Sequence, residues 1–193
     1  MQPKTYVFFG NIGAGKGTQI ELLQKLIQEA GRHVIYFSPG VEYRAAIASG
    51  SYSGSVIKSV FEAGKLLPDV LTSGLFTGYL MKDLTPETTI IADGYPRSTQ
   101  QSDDFIALME FYGRTDIEII NIDITKEEAV KRMQLRKRAD DTPEGIASRF
   151  EVYEKSVVPS LEVLKQKGYT LHTVAGDQTV EAVHADIKKA LGL

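Results

Sequence analysis

The stretch Gly10-Asn11-Ile12-Gly13-Ala14-Gly15-Lys16-Gly17-Thr18 combines the groups needed to hold a polyphosphate. Closely spaced glycines let a backbone turn sharply and aim several N–H groups at one anion. Lys16 adds a compact full charge for the terminal phosphates, and Thr18 a hydroxyl near the site of a divalent cation. Residues 6–9 before the loop are apolar and β-rich, which predicts a strand. After it, Ile20, Leu23, Ile27 and Ala30 recur at helical spacing over 19–30. A glycine loop between a strand and a helix start is the setting phosphate binding requires, because the helix end carries partial positive charge.

Other residues suit the same chemistry. Arg44, Arg97, Arg132, Arg136, Arg138 and Arg149 carry planar guanidinium groups, which grip phosphate oxygens with two hydrogen bonds where lysine cannot. For Arg132 and Arg136 the alternative is a solvated helix face with pairs such as Glu128–Arg132. Asp93 closes a predicted strand, a position that suits a carboxylate holding magnesium through water; the alternative is an aspartate turn before Gly94. His33, His172 and His184 show no pairing typical of a catalytic or metal site, and His184 is expected to face solvent.

Positioning these groups falls to alternating strands and helices. Strands are predicted over 6–9, 33–37, 88–92, 117–124 and 169–174, the fourth apolar enough for burial on both faces. Helices are predicted over 19–30, 42–49, 56–63, 68–82 and 180–191, with others starting at Ser98, Thr125 and Thr142-Pro143. Residues 51–55 read as a loop, Pro159 as a helix kink, Tyr95 as packing, and Gly74 with Gly78 as a close helix contact. The pattern predicts an α/β domain with a mostly parallel five-stranded sheet, and 38–87 as an inserted helical subdomain. The 193 residues fit one domain. A net formal charge of −3 makes the chain a poor general binder of nucleic acid or anionic membranes. Zero cysteines exclude a disulfide scaffold, thiolate zinc sites and a cysteine nucleophile, and fit a reducing cytosol. No signal-peptide pattern or membrane-length apolar run is present.

Because Lys16 is followed by Gly17 and then Thr18, the loop resembles that of the adenylate kinase branch of nucleoside monophosphate kinases, Gly-x-x-Gly-x-Gly-Lys-Gly-Thr. Ser38-Pro39-Gly40-Val41-Glu42-Tyr43-Arg44 resembles the family's monophosphate-binding Ser-Thr-Gly-Asp-x-x-Arg, with Pro39 and Val41 in place of threonine and aspartate. Ala63-Gly64-Lys65-Leu66-Leu67, Asp93-Gly94-Tyr95-Pro96-Arg97 and Gly176-Asp177-Gln178 are similar to further family motifs, as are the clamp arginines and Asp140-Asp141. Ile12 stands where a proline is usual.

The resemblance implies a P-loop NTPase fold of three α/β/α layers over 1–193, with 38–87 as the monophosphate-binding insertion and a short lid at 138–144 that lacks the zinc-binding segment. It implies transfer of the γ-phosphoryl of Mg-ATP to AMP, giving two ADP, with Mg2+ and no zinc. The implied ATP contacts are Gly13, Ala14, Gly15, Lys16, Gly17, Thr18, Arg132, Arg136 and Gln178. The implied AMP contacts are Pro39, Arg44, Leu67, Gly94, Arg97, Gln101, Arg138 and Arg149. Lys16, Arg97, Arg132, Arg138 and Arg149 form the catalytic set, with Asp93 acting through water and Thr18 near the metal. In the adenylate kinase branch a glutamine four residues after the arginine, here Gln101, reads the acceptor adenine, whose donor–acceptor edge an amide matches. Ser98 stands where pyrimidine kinases carry an asparagine, so the resemblance favours AMP; a solvated helix glutamine is the alternative for Gln101. A UMP/CMP or deoxynucleoside monophosphate kinase, or a nucleotide-binding regulator without turnover, stays open. A monomer in the cytoplasm, with no nucleic-acid or membrane partner, completes the expectation.

Overall fold

The computed structural model describes residues 3–136, without the Arg136 side chain, and residues 142–193. Side chains alternate across the first strand, β1 (Thr5–Phe9): Tyr6 and Phe8 enter one core, Val7 and Phe9 the other. Around it lie β2 (Val34–Phe37), β3 (Thr89–Asp93), β4 (Ile117–Asp123) and β5 (Thr170–Ala175), all parallel in the order β2-β3-β1-β4-β5. Helices α1 (Lys16–Glu29) and α9 (Val180–Leu191) cover one face through Ile20, Leu23, Ile27, Val183 and Ile187. Helices α4 (Asp69–Asp83), α5 (Thr99–Phe111) and α8 (Val158–Gln166) cover the other through Phe76, Leu80, Phe105, Met109, Leu161 and Leu164. The result is the three-layer architecture the alternating pattern requires. Register brings Phe8 level with Asp93 and Phe9 level with Asn121, so the carboxyl ends of β1, β3 and β4 form one rim. In such sheets that rim, where the strand order reverses, is where ligands bind.

Below the rim, Phe76 packs against Phe37, Tyr95 and Phe105 with ring centroids 5.1, 4.9 and 5.9 Å away. Helices α2 (Pro39–Ala48) and α3 (Tyr52–Glu62) stand apart from both sheet cores, joined by a small cluster of Tyr43, Ile57 and Leu67. The tract 38–87 is therefore of two kinds: α2 and α3 pair with each other, while α4 packs on the sheet. Helix α6 (Lys126–Arg136) meets α7 (Pro143–Val152) through Ala129, Met133 and Phe150.

Several local expectations need correction. Helix α2 starts at Pro39, three residues before the predicted 42, because a proline's fixed φ suits the first helical position. Residues 52–55 belong to α3, since the Ser51 hydroxyl accepts a bond from the Gly54 N–H at 3.1 Å and caps the helix early. Gly74 and Gly78 make no close contact, and a Cβ at either would meet nothing within 4 Å. They share a stripe two residues out of phase with Phe76 and Leu80, which turns them away from the sheet. The irregularity near Pro159 is a π-helical turn, Tyr153–Val157, where the Val158 N–H reaches the Tyr153 carbonyl. Strand β4 is buried on both faces as its sequence predicts, with Ile117 and Ile119 in one core and Ile120 and Ile122 in the other, although Glu118 and Asn121 between them are only partly buried and Asp123 is exposed. His184 is half-buried rather than solvated, with Nδ1 3.2 Å from the Gln19 Oε1, and burial lowers its pKa.

Candidate active site

Helix α1 begins at a left-handed Gly15 and has no acidic side chain in its first turn. The partial positive charge of its first turn therefore lies at the cleft with no acidic side chain of that turn to offset it. At Gly13, φ is +81° and a Cβ would lie 2.8 Å from the Ala129 carbonyl oxygen, so only glycine lets the loop press against α6. Lys16 curls across the loop and donates to the carbonyls of Gly10 (2.6 Å) and Asn11 (3.1 Å). The exposed Thr18 lies on the same wall.

At the end of β3, one Asp93 oxygen accepts from the Tyr36 hydroxyl at 3.1 Å and the Ser38 hydroxyl at 3.3 Å. Burial and then the Asp93 charge push the Tyr36 phenol up to about 12, so it remains a donor at neutral pH. An aspartate carboxylate and a threonine hydroxyl bordering the same cleft form an all-oxygen donor set of the kind Mg2+ takes, usually with several waters retained.

Opposite the phosphate loop stand three guanidinium groups. Arg97 donates from Nε to the Gly94 carbonyl at 2.6 Å. Burial lowers its pKa; Asp93 pulls the other way, and the neighbouring Arg149 and Arg44 cations lower it further. Its guanidinium stays protonated at neutral pH regardless. Arg44 and Arg149 face the same ring, with Cζ 5.7 and 5.9 Å from the Phe61 centroid. Gly64, at φ +71°, lets the end of this insertion seat on α7: a Cβ there would lie 2.5 Å from the Gly145 oxygen and 3.0 Å from Arg149 Cγ. Three cations held this close repel one another, and a bound phosphate relieves that repulsion.

The cleft between these walls measures about 680 Å³. It brings together Gly13, Ala14, Gly15, Lys16, Gly17, Thr18, Pro39, Arg44, Leu67, Asp93, Gly94, Arg97, Gln101, Arg132 and Arg149. Among the described residues its lining holds six lysines and arginines against two acids, in a chain of net charge −3. Arg132 lies over the phosphate loop with Nε bonded to Glu128 at 2.8 Å and Nη2 to the Gly176 carbonyl at 2.9 Å. The helix-face pair and the cleft position thus coexist. Gln101 is buried at 2% exposure, so it is not a solvated residue of the helix face.

Gln178 is not among the lining residues. It is exposed, and its amide donates to the Ala175 carbonyl and to Asp186, both at 3.0 Å. Arg138, Asp140, Asp141 and the Arg136 side chain lie outside the described residues. Sequence reasoning missed Tyr36, Phe61 and Thr72, all on the cleft wall. The Tyr43 and Thr72 hydroxyls are 2.6 Å apart there, a polar pair contributed by α2 and α4. A tyrosine one residue from the end of an otherwise apolar strand was the available signal for Tyr36.

A family model described as "Adenylate kinase" matches residues 8–169. The chain is 32% identical to an adenylate kinase of Oenococcus oeni over 187 residues, covering 96% of each. It is 33% identical to one of Corynebacterium aurimucosum over 187 residues (97% of this chain, 98% of the relative). A Bacillus subtilis relative of the same name is 31% identical over 217 residues, covering 96% of this chain and 97% of its own.

Proposed function

The chain belongs to the adenylate kinase family and is a phosphotransferase acting between ATP and AMP, and from that premise we propose how its residues carry the reaction. Phosphoryl transfer asks a protein mainly for alignment and charge neutralisation. The acceptor is a phosphate oxygen already ionised at neutral pH, so no general base is required, and among the described residues no histidine lines the cleft.

In this reading the phosphate loop and the α1 N-terminus hold the ATP β- and γ-phosphates, and Lys16 leaves the loop carbonyls to follow the transferring group. Arg44 and Arg97 hold the AMP phosphate. Arg132, Arg149 and the lid-side Arg136 and Arg138 surround the oxygens in flight. When bound with ATP, Mg2+ would supply neutralisation of phosphate charge. Thr18 and, through water, Asp93 are the residues that would hold it. Leu67, Pro39 and Gln101 receive the acceptor base. Gln178 is proposed only as a neighbour of the ATP adenine. The insertion helices α2 and α3 and the segment 138–144 close over both nucleotides and exclude water, which otherwise competes as acceptor. A monomer acting in the cytoplasm fits this reading.

The observation that carries it is the charge of the cleft: among the described residues, six cations against two anions in an acidic chain, split between a phosphate loop and an arginine cluster. A coupled assay of ATP against AMP, CMP, UMP and deoxynucleoside monophosphates tests it. Rapid AMP-dependent ADP formation is expected. Pyrimidine preference, or nucleotide binding without turnover, overturns the assignment.

A further inference from the structure

Gln101 sits in a closed hydrogen-bond circuit between the first turns of α4 and α5. Its Oε1 accepts from the Arg97 backbone N–H at 2.8 Å. Its Nε2 donates to the Asp69 Oδ1 at 2.9 Å. The Ser98 hydroxyl donates to that same carboxylate oxygen at 2.8 Å, and Ser98 Oγ accepts from the Gln101 backbone N–H at 3.1 Å. A backbone N–H can only donate and a carboxylate only accept, so the two ends of the amide are not interchangeable here. Each end keeps one further hydrogen-bonding capacity, and Gln101 lines the cleft.

From this circuit we infer that Asp69 is a specificity-determining positioning residue, which fixes the orientation of the Gln101 amide and so selects a 6-amino over a 6-oxo purine in the acceptor. The inference rests on the proposed role of Gln101 toward the acceptor base. An adenine presents an N6–H donor and an N1 acceptor, which match Oε1 and Nε2 as they are held. A hypoxanthine or guanine presents an O6 acceptor and an N1–H donor and would need the amide reversed. Reversal turns Nε2 toward the Arg97 N–H, donor against donor, and Oε1 toward Asp69, acceptor against acceptor. A site whose buried polar groups are left unpaired rejects the wrong partner far more strongly than an apolar pocket does. The competing explanation is a helix-dipole role for an aspartate in the first turn of α4, which stabilises the helix and has no reason to distinguish two bases.

The test compares kcat/KM for AMP and IMP, which differ at this edge, in the wild type, D69N and Q101A, with the KM for ATP and the melting temperature as controls. An asparagine can present its NH2 to a reversed Gln101, removing one of the two mismatches. D69N should lower the AMP-over-IMP ratio at least about tenfold while the ATP KM stays within twofold. A Q101A variant with a collapsed ratio, beside a D69N with a wild-type ratio, overturns the role of Asp69 and leaves that of Gln101 standing. An unchanged ratio in Q101A overturns the reading of Gln101 and the inference with it. Equal losses on AMP and IMP in D69N reduce Asp69 to a structural part and also overturn it. The wild type supplies a readout independent of any variant's folding. By NMR, the Gln101 side-chain amide protons should exchange with solvent more slowly than those of the exposed Gln100, and equally fast exchange contradicts the circuit.

Discussion

Replacing Phe61 with leucine removes one ring and with it a contact shared by two cations. The Arg44 and Arg149 guanidinium carbons lie 5.7 and 5.9 Å from that ring's centroid, one from α2 and one from α7. Each such contact is worth about 0.5–1 kcal/mol at a partly solvated site, so losing both costs about 1–2 kcal/mol. If that energy holds the two arginines over the acceptor phosphate, kcat/KM for AMP falls about 5–30-fold, at 1.36 kcal/mol per tenfold. Leucine keeps most of the apolar volume, so stability should change by less than about 1.5 kcal/mol. Initial rates with saturating ATP and varied AMP give the first quantity and thermal melting the second, with the KM for ATP expected to stay put. F61Y keeps the ring and should restore most of the loss. An F61L enzyme within twofold of wild type toward AMP, or an F61Y as impaired as F61L, refutes the idea that this ring positions the arginines.

Other expectations follow from the same geometry. K16M should reduce kcat at least about a hundredfold with an unchanged far-UV circular dichroism spectrum, since it removes the loop's mobile full charge; near-normal turnover would take Lys16 out of the mechanism. F76A opens the aromatic cluster beneath the rim and should cost about 3–5 kcal/mol, lowering Tm by about 6–20 °C, so a calorimetric drop below about 3 °C would show that the cluster repacks freely. Burial alone would raise the Glu118 carboxyl, but bonds and charges from Lys4 and His172 outweigh it and hold it below its ordinary value. A depressed carboxylate contributes stability above the unfolded pKa of 4.5 that is lost as pH falls through the folded value. Wild-type Tm should therefore fall more steeply below pH 4.5 than that of E118Q, and parallel curves would contradict the linkage.

Much of the site was legible because it is local. The phosphate loop is dictated by nine consecutive residues between a strand and a helix, and its partner Asp93-Gly94-Tyr95-Pro96-Arg97 ends the strand paired with it. Contacts between distant segments were not. Asp69 and Gln101 are 32 residues apart, and nothing in either helix alone says that their first turns touch. Phe61 reads as an ordinary apolar helix residue until Arg44 and Arg149 are seen on its ring. Gly74 and Gly78 show the converse failure: spacing reveals that two residues share a helix face, not whether that face meets anything. His184 was misjudged because its partner Gln19 comes from α1, which lies beside α9 on the same face of the sheet but far from it in sequence.

The central claim is that one cleft holds two nucleotides between a phosphate loop and an arginine cluster. Calorimetric titration with two adenosines joined through a five-phosphate bridge tests it most directly. One molecule should bind per chain, be displaced by ATP and by AMP alike, and bind far more weakly to both K16M and R97A. Displacement by only one of the two nucleotides, or full affinity in R97A, would contradict the account.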